Sequence, residues 1–390
     1  MSVLQIIFWI LLGIIFYTYL GYGIVLYILL SIKRMFKKKK TLDLSENELP
    51  EVTLLIAAYN EEDYVQKKVE NTLQLNYPAE KLHQIWVTDG SNDCTPELLA
   101  KYKDIEVLHK PERSGKIAAM NRAVKHVKTP IVIFSDANTL LGKESIKKIA
   151  EMFSNPKTGC VSGEKRIFNA EEEAASAAGE GLYWKYESTL KRWDAELYSA
   201  VGAAGELFAI RTELFNEVEP DTLLDDFIIS LRVAMQGYKI DYDPEAYAIE
   251  TASANVKEEL KRKIRIAAGG IQSVVRLYPL LNIFKYGLLS FQYISHRVLR
   301  WTITPLALLL LLVVNIILAS SSTFFLIVLG LQILFYLSAL IGWKLENKKL
   351  KVKIFFIPYY FFIMNYAVFM GFGRYIKKSQ SVNWERAKRA

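Results

Sequence analysis

The sequence predicts an α/β domain with a largely parallel sheet, placed between apolar segments long enough to span a membrane. Between residues 52 and 153, runs of apolar β-formers alternate with helical segments, which is the pattern of right-handed βαβ units. Two of the predicted strands end in a carboxylate, Asp89 and Asp136, just before a turn. In an open α/β sheet, ligands bind beyond the carboxyl ends of the strands. The pattern therefore indicates a membrane-seated enzyme whose ligand site lies at this edge of the sheet.

The charge of the chain points to a membrane rather than to nucleic acid. The formal net charge is +8, and the basic excess follows apolar segments, at residues 33–40 and again within residues 374–390. Basic residues at membrane edges are typical of the cytoplasmic side. We therefore expect membrane lipid as a partner and no nucleic acid. The two cysteines, Cys94 and Cys160, argue against a disulfide framework and fit a reducing compartment.

Residues 1–40 are predicted to form an N-terminal transmembrane helix with a basic cytoplasmic flank. The run from 3 to 32 is almost wholly apolar, and about 20 such residues span a hydrocarbon core. The alternative is a cleaved signal peptide, but no small-residue cleavage site stands out before the lysines. The basic flank places residues 41–276, the predicted catalytic domain, in the cytoplasm of a multi-pass protein of the cell membrane.

The segment 301–373 is predicted to hold the C-terminal transmembrane helices. The candidate spans are residues 301–318, 324–343 and 354–373. The connecting loop 344–353 and the tail 374–390 are both basic, yet three crossings from a cytoplasmic domain would leave the tail outside. Either the last segment, which contains Pro358 and Asn365, bends back, or another segment does not cross. The sequence leaves both arrangements open.

Residues 277–300, between the domain and the spans, are predicted to form an amphipathic helix at the membrane interface. Apolar residues recur there at three- to four-residue spacing with polar residues between them: Phe284, Leu288, Phe291, Ile294 and Val298. An ordinary surface helix packed on the domain fits this spacing equally well.

The strand-end acids suit a nucleotide diphosphate. A leaving diphosphate is strongly anionic and is usually neutralised by a divalent cation, held by one or two carboxylates and by phosphate oxygens. Asp136 is the natural ligand for such a cation, and Asp89, followed by the permissive Gly90, can reach the base or ribose. A single strand-end aspartate can also cap the next helix. Two of them, at two strand ends, favour a shared site.

Asp225 and Asp226 stand at the start of a predicted helix that extends to about residue 236. One of them could remove a proton from an acceptor hydroxyl; alternatively, both only complement the dipole of the first helical turn. Lys116 follows a Ser-Gly pair, but the segment lacks the residues of a P-loop. Lys116 either contacts phosphate or is a solvated helix residue. The four histidines lack the spacing of a zinc site.

Taken in order, these elements resemble the membrane-embedded family 2 glycosyltransferases, the group that contains hyaluronan, chitin-oligosaccharide and cellulose synthases. Ala58-Tyr59-Asn60-Glu61-Glu62 looks like the opening loop that holds the nucleotide, and Thr88-Asp89-Gly90-Ser91 is similar to the family's Asp-Asp-Gly-Ser. Gly115-Lys116 with Ala119-Met120-Asn121 matches its Gly-Lys…Ala-Leu-Asn segment. The resemblance implies that Asp89 contacts a uridine-type base. It assigns to the nucleotide-sugar Ala58, Asn60, Glu61, Asp89, Lys116 and Asp136.

The motifs that carry the family's chemistry are matched with substitutions. The metal-binding Asp-x-Asp is similar to Asp136-Ala137-Asn138, which implies Mg²⁺ or Mn²⁺ on Asp136 and Asn138, with Asp136 the better ligand because Asn138 is neutral. The Thr-Glu-Asp base motif looks like Leu224-Asp225-Asp226, which makes Asp226 the catalytic base, with Asp225 beside it. Gln-x-x-Arg-Trp is matched at Gln272 and Arg276 but has Leu277 in place of Trp, and residues 202–211 resemble the loop near the acceptor. The acceptor or diphosphate residues implied are Glu206, Gln272 and Arg276.

By this resemblance the fold is GT-A, with a Rossmann-like, mostly parallel sheet, and the activity is inverting, metal-dependent glycosyl transfer. The donor is a nucleotide-sugar, with UDP as the expected carrier, and the acceptor is a hydroxyl of a growing polysaccharide at the membrane. Leu277 keeps open a single transfer to a lipid, either a glycolipid or a polyprenyl phosphate. An alternative from another class is a transporter with a cytoplasmic regulatory domain, which predicts facing ionisable residues in the spans. The sequence specifies neither the sugar nor a partner subunit.

Overall fold

The computed structural model describes residues 1–36, 45–168, 177–251, 256–347 and 352–381. The predicted basic flank at 37–40, part of the loop 344–353 and the end of the basic tail, 382–390, lie outside these residues.

Within the described residues, eight strands form one sheet. They are β1 (Val52–Ala58), β2 (Leu82–Asp89), β3 (Glu106–Lys110), β4 (Ile131–Asp136), β5 (Thr139–Leu141), β6 (Thr158–Phe168), β7 (Leu207–Arg211) and β8 (Lys239–Thr251). Their order across the sheet is β3-β2-β1-β4-β7-β6-β8-β5. The first four strands pair in parallel, as the alternating pattern predicts. The second half is mixed, because β7 runs antiparallel to both β4 and β6, β5 runs antiparallel to β8, and β6 pairs in parallel with β8.

The helices of the α/β domain cover both faces of this sheet. They are α3 (Glu62–Leu73), α4 (Thr95–Leu99), α5 (Lys116–Val124), α6 (Ser145–Met152), α7 (Ala177–Leu197), α8 (Asp225–Met235) and α9 (Val256–Arg276). Strand β1 is buried at all seven positions, as expected for a central strand covered on both sides. Its Leu55 and Ala57 pack in one core with α5 and α8, and Leu54 and Ile56 pack in a second core with α3, α4 and α6.

The apolar ends of the chain form long helices. They are α1 (Val3–Phe16), α2 (Tyr22–Phe36), α13 (Ile303–Leu318), α14 (Thr323–Asn347) and α15 (Lys353–Ile376). A π-helical turn, Tyr17–Gly21, joins α1 to α2. By length and composition, three helical stretches among the described residues could cross a membrane: Val3–Phe36, Thr323–Glu346 and Ile354–Ile376. A fourth span is possible if the helices Leu288–Trp301 and Ile303–Leu318, which meet at an angle of 52°, count as one.

The predicted amphipathic helix over 277–300 forms only in its second part. The first part is a 3₁₀ turn (Tyr278–Leu281) and α10 (Ile283–Tyr286). From Leu288 to Trp301 the chain is helical without a break, as α11 (Leu288–Tyr293), a π-helical turn (Ile294–Val298) and α12 (Leu299–Trp301). The chain breaks at Asn282, whose side chain accepts hydrogen bonds from the amides of Phe284 and Lys285, and at Gly287, which has a φ of 53°. A helix cap and a left-handed glycine therefore override the apolar spacing.

Candidate active site

The predicted site residues gather at the carboxyl edge of the parallel half of the sheet. Strand β1 lies between β2 and β4, so that Asp89, the last residue of β2, and Asp136, the last residue of β4, flank the end of β1. Two adjoining clefts open there and share Ala57 and Lys116 as lining residues. Asp89 lines the first cleft and Asp136 the second.

The first cleft, of about 230 Å³, is built around Asp89. Its Oδ2 accepts hydrogen bonds from the backbone amides of Ser114 (2.8 Å) and Gly115 (2.5 Å). Its buried Oδ1 has no hydrogen-bond partner among the described residues. Gly90, with a φ of 69°, allows the close approach of the neighbouring loop, since an added Cβ would lie 2.6 Å from Cβ of Arg113. Asp89 thus holds the loop before α5 against β2 and keeps one oxygen available.

Side chains with flat or extended shapes complete this cleft. The Arg113 guanidinium lies 3.9 Å from the ring centroid of Tyr59, a cation–π stack. Ala58, at the end of β1, also lines the cleft. Such walls offer a flat aromatic ring a surface on which to stack.

Asn60 and Glu61 shape the rim rather than line either cleft. Asn60 has a φ of 54°, and its side chain exchanges two hydrogen bonds with Asn92, of 2.6 and 3.0 Å. The backbone amide of Glu61 donates to Thr95 Oγ1 at 2.9 Å. These bonds tie the loop after β1 to the loop after β2. The two predicted nucleotide residues therefore position the loops beside the cleft.

The second cleft contains an ammonium held among carboxylates. Lys116, the first residue of α5, donates to Asp136 Oδ1 at 2.8 Å and lies 3.7 Å from Asp225 Oδ2. Burial alone would lower the pKa of Lys116, but the charges of Asp136 and Asp225 outweigh it and raise that pKa. Burial raises the pKa of the Asp136 carboxyl, against the opposing effect of Lys116. Lys116 is thus an ion-pair partner, not a solvated helix residue.

Asp226 lies beside Gly205 in the same cluster. A Cβ added to Gly205 would lie 3.1 Å from Asp226 Oδ2, and Gly205 lines the second cleft with Asp136 and Lys116. Burial, followed by the charges of Asp225 and Glu206, raises the pKa of Asp226 from 3.8 to about 7. A carboxylate with a pKa near neutral pH is suited to accept a proton during catalysis.

Glu206 forms an ion pair with Lys165 of strand β6. Lys165 donates hydrogen bonds to the carboxylates of both Glu206 and Glu250. Burial acts to raise the pKa of Glu206, but Lys165 offsets it and lowers that pKa to about 2. Glu206 is therefore a fixed negative charge close to Asp226.

Gln272 and Arg276 bind the loop that leads into α8. Gln272 accepts from the Leu223 amide at 2.9 Å and donates to the Asp221 carbonyl at 2.8 Å. Arg276 donates to Thr222 Oγ1 and to Asp221 Oδ1, both at 2.6 Å. Both residues therefore hold the segment just before Asp225 and Asp226. Leu277 is buried, with 2% of its surface exposed.

The oxygen donors in the cleft fit a divalent cation bound partly by its substrate. No group of three or more His, Cys, Asp or Glu side chains in the described part of the chain could hold a metal ion alone. Asn138 Oδ1 is buried and, within the same part of the chain, lacks a hydrogen-bond partner; Asp136 lies two residues before it. One carboxylate, one amide oxygen and substrate phosphates match the preferences of Mg²⁺ and Mn²⁺.

Sequence reasoning missed several residues around the site. Gly205 lies in the stretch 202–211, which resembles the acceptor loop, but nothing singles it out there, and Lys165 carries no sequence signal. Lys68 does: it falls on the buried stripe of α3 with Val65, Val69 and Thr72, where a charged residue is unusual. Burial lowers the pKa of Lys68 to about 7, while the charge of Asp136 opposes this.

Comparison with known proteins identifies a domain of a known family. Residues 53–219 match the family model described as "Glycosyl transferase family 2". This match agrees with the family that the motifs resemble, and the matched segment contains Asp89, Lys116 and Asp136.

Two curated relatives of this chain carry the same name. Poly-beta-1,6-N-acetyl-D-glucosamine synthase of Staphylococcus aureus (strain MSSA476) is 29% identical over 252 residues, which cover 62% of this chain and 60% of that protein. The synthase of the same name from Staphylococcus epidermidis is 25% identical over 268 residues, covering 66% of this chain and 63% of that protein. The chain thus matches less than two thirds of the length of either relative.

A solved structure shows the same fold over nearly the whole chain. The mannosyltransferase PcManGT from Pyrobaculum calidifontis, in complex with GDP-Man and Mn²⁺, matches with a TM-score of 0.70 at 21% identity, covering 97% of this chain and all of that one. The mixed sheet of this chain is therefore GT-A-like, and the predicted fold class is confirmed.

Proposed function

We propose that this chain is an inverting glycosyltransferase that moves a sugar from a UDP-linked donor to a hydroxyl of a growing polysaccharide at the membrane. The observation that carries the proposal is one cluster at the strand edge, in which Lys116 pairs with Asp136 beside Asp226. A cation for the diphosphate and a base for the acceptor are thus side by side.

The donor fits the two adjoining clefts from end to end. The base lies in the first cleft, between Asp89 Oδ1 and the Tyr59–Arg113 stack, and the diphosphate reaches Lys116. Asp136 and Asn138 would hold Mg²⁺ or Mn²⁺, which when bound neutralises charge on the departing diphosphate. The Mn²⁺ in the mannosyltransferase structure supports this expectation for the fold.

Asp226 acts as the base. The acceptor oxygen forms a bond to the anomeric carbon on the face opposite the diphosphate, the bond from that carbon to the phosphate oxygen breaks, and the acceptor proton passes to Asp226. Attack from the opposite face inverts the anomeric centre. Burial, followed by the charges of Asp225 and Glu206, keeps the pKa of Asp226 at about 7, so that about half of this carboxyl is ionised at pH 7 and the carboxylate is basic enough to take the proton.

The names of the relatives support a polysaccharide product built from N-acetylhexosamine units. Leu277 favours a second candidate, a single addition to a lipid acceptor, since it is buried and offers no aromatic surface to a glycan. Sizing of the product separates the two: a ladder of long chains supports the first proposal and one added sugar supports the second.

The long apolar helices support a membrane location with the catalytic domain in the cytoplasm. Helix α15 packs along α9 of the domain, where a Cβ on Gly371 would lie 2.8 Å from Cβ of Ala267. This contact favours a course in which α15 turns back toward the domain, so that the basic tail stays on the cytoplasmic side. A fluorescent reporter fused to the C-terminus should then be active, and an exported phosphatase fused there inactive; the reverse pattern contradicts this course.

Nucleotide-sugar turnover by the purified protein tests the chemistry. With Mn²⁺ or Mg²⁺ present, release of UDP should fall by at least about a hundredfold in Asp226→Asn and in Asp136→Ala. The exposed Asp104→Asn is the matched control and should keep the wild-type rate. Near-normal rates in both site variants would refute the assignment.

A further inference from the structure

Lys68 places a buried amino group against the turn that carries Asp136 and Asn138. It lies on α3 and has no exposed surface. Its Nζ donates to Ser135 Oγ at 2.8 Å, to the Thr139 carbonyl at 2.8 Å and to Thr139 Oγ1 at 3.3 Å. The Lys68 amino group is therefore hydrogen-bonded to both ends of the turn, Ser135 and Thr139.

Lys68 donates to neutral groups. Within the described residues, its hydrogen bonds end on hydroxyl and carbonyl oxygens of Ser135 and Thr139. Buried lysines are normally paired with a carboxylate because desolvation of an ammonium is costly. An amino group buried among neutral oxygens of one turn therefore indicates a role in holding that turn.

Further hydrogen bonds link Ser135 and Thr139, the two partners of Lys68, to the candidate active site. Thr139 Oγ1 donates to the Asp136 carbonyl at 2.9 Å, and Ser135 Oγ donates to the Glu206 carbonyl at 3.2 Å. The same side-chain hydroxyls that Lys68 holds thus fix the backbone of Asp136 and the start of β7, next to Gly205. Asn138, with its unpartnered Oδ1, is inside the braced turn.

We propose that Lys68 is a positioning residue, which fixes the turn 135–139 so that the side-chain oxygens of Asp136 and Asn138 face the cation and diphosphate together. The inference rests on the proposed function for the identity of the ligand. Lys68 touches neither substrate nor cation; it acts through Ser135 and Thr139. Residues that orient metal ligands from behind commonly change metal affinity by ten- to a hundredfold when they are replaced.

The test compares Lys68→Met with Asn71→Ala, a control on the same helix. Asn71 also holds the chain near this turn, by exchanging hydrogen bonds of 2.9 and 2.7 Å with the backbone of Leu141, beyond the turn. Two quantities are measured for each variant: the Mn²⁺ concentration that gives half-maximal turnover, and Mn²⁺ binding in the presence of UDP, read from the electron paramagnetic resonance signal of free Mn²⁺.

Lys68→Met should raise the half-saturating Mn²⁺ concentration and weaken Mn²⁺ binding by about tenfold or more. The control Asn71→Ala should leave both within about twofold. Hydrogen exchange of the metal-free protein should quicken at the amides of 136–139 in Lys68→Met only. If Lys68→Met does not fold, Thr139→Val, which removes one acceptor and its bond to Asp136, should give a smaller shift in the same direction.

Unchanged Mn²⁺ dependence and unchanged exchange in Lys68→Met would overturn the inference, as would an equal shift in Asn71→Ala. A wild-type protein that neither turns over a nucleotide-sugar nor binds Mn²⁺ with UDP would instead count against the proposed function. In that case the exchange rates at 136–139 still decide whether Lys68 holds the turn.

Discussion

The pH dependence of turnover should report the environment of Asp226. Its pKa of about 7 is roughly three pH units above the ordinary value of 3.8, because of burial first and then the charges of Asp225 and Glu206. A base must be unprotonated to act, so kcat/KM should fall below a midpoint near pH 7 and level off above it. Glu206→Gln removes one of the three effects that raise the pKa of Asp226, and it leaves the positive charge of Lys165 less neutralised. The midpoint should therefore move down by about one pH unit.

The assay is the initial rate of UDP release at limiting donor, from about pH 5.5 to about pH 9, for wild type, Glu206→Gln and a control. The control is Glu245→Gln, whose side chain is 70% exposed on the surface next to Arg166. It should reproduce the wild-type midpoint. The Glu206→Gln enzyme should keep a larger share of its maximal rate at pH 6 than wild type does. Superimposed profiles for the three proteins would refute the assignment of the acid limb to Asp226.

Three further outcomes follow from the site geometry. Gly205→Ala should lower kcat about tenfold with UDP affinity unchanged, because the new Cβ would lie 3.1 Å from Asp226 Oδ2 and displace the base; equal loss in kcat and UDP affinity would point to unfolding instead. Arg276→Ala removes two hydrogen bonds to the loop 221–223 and should cost about 1–2 kcal/mol, seen as a melting temperature lower by a few degrees in detergent; an unchanged melt would mean that the loop is held by other contacts. Chelation with EDTA should abolish turnover, and either Mn²⁺ or Mg²⁺ should restore it; full activity in EDTA would exclude the metal.

The parallel half of the fold and its strand-end acids could be predicted because local pattern determines both. Apolar strand runs end where the chain turns, and parallel neighbours bring those ends to one edge, so Asp89 and Asp136 had to lie close together. Asp226 required the family resemblance, since a pair of acids at a helix start is equally explained by the helix dipole. The structure places it beside Gly205.

The remaining features depend on contacts between distant parts of the chain. Strand β7 inserts antiparallel between β4 and β6, which no local periodicity encodes. Gln272 and Arg276 resemble a motif with one residue more between them than in Gln-x-x-Arg, and nothing in that pattern reveals that they bind the segment 221–223. The break at Gly287 shows the opposite limit, in which one residue with a φ of 53° outweighs a regular apolar pattern.

In the proposed mechanism, the pairing of Lys116 with Asp136 makes binding of donor and cation interdependent. Without a donor, the Lys116 ammonium neutralises the charge of Asp136 and Asp225. A divalent cation would then have to bind a carboxylate that is already paired. When Lys116 turns to a phosphate, the Asp136 carboxylate is released to a second positive charge. Each ligand then raises the affinity for the other by the same factor, as thermodynamic linkage requires. The protein without a donor would therefore bind the metal more weakly than the protein with a donor.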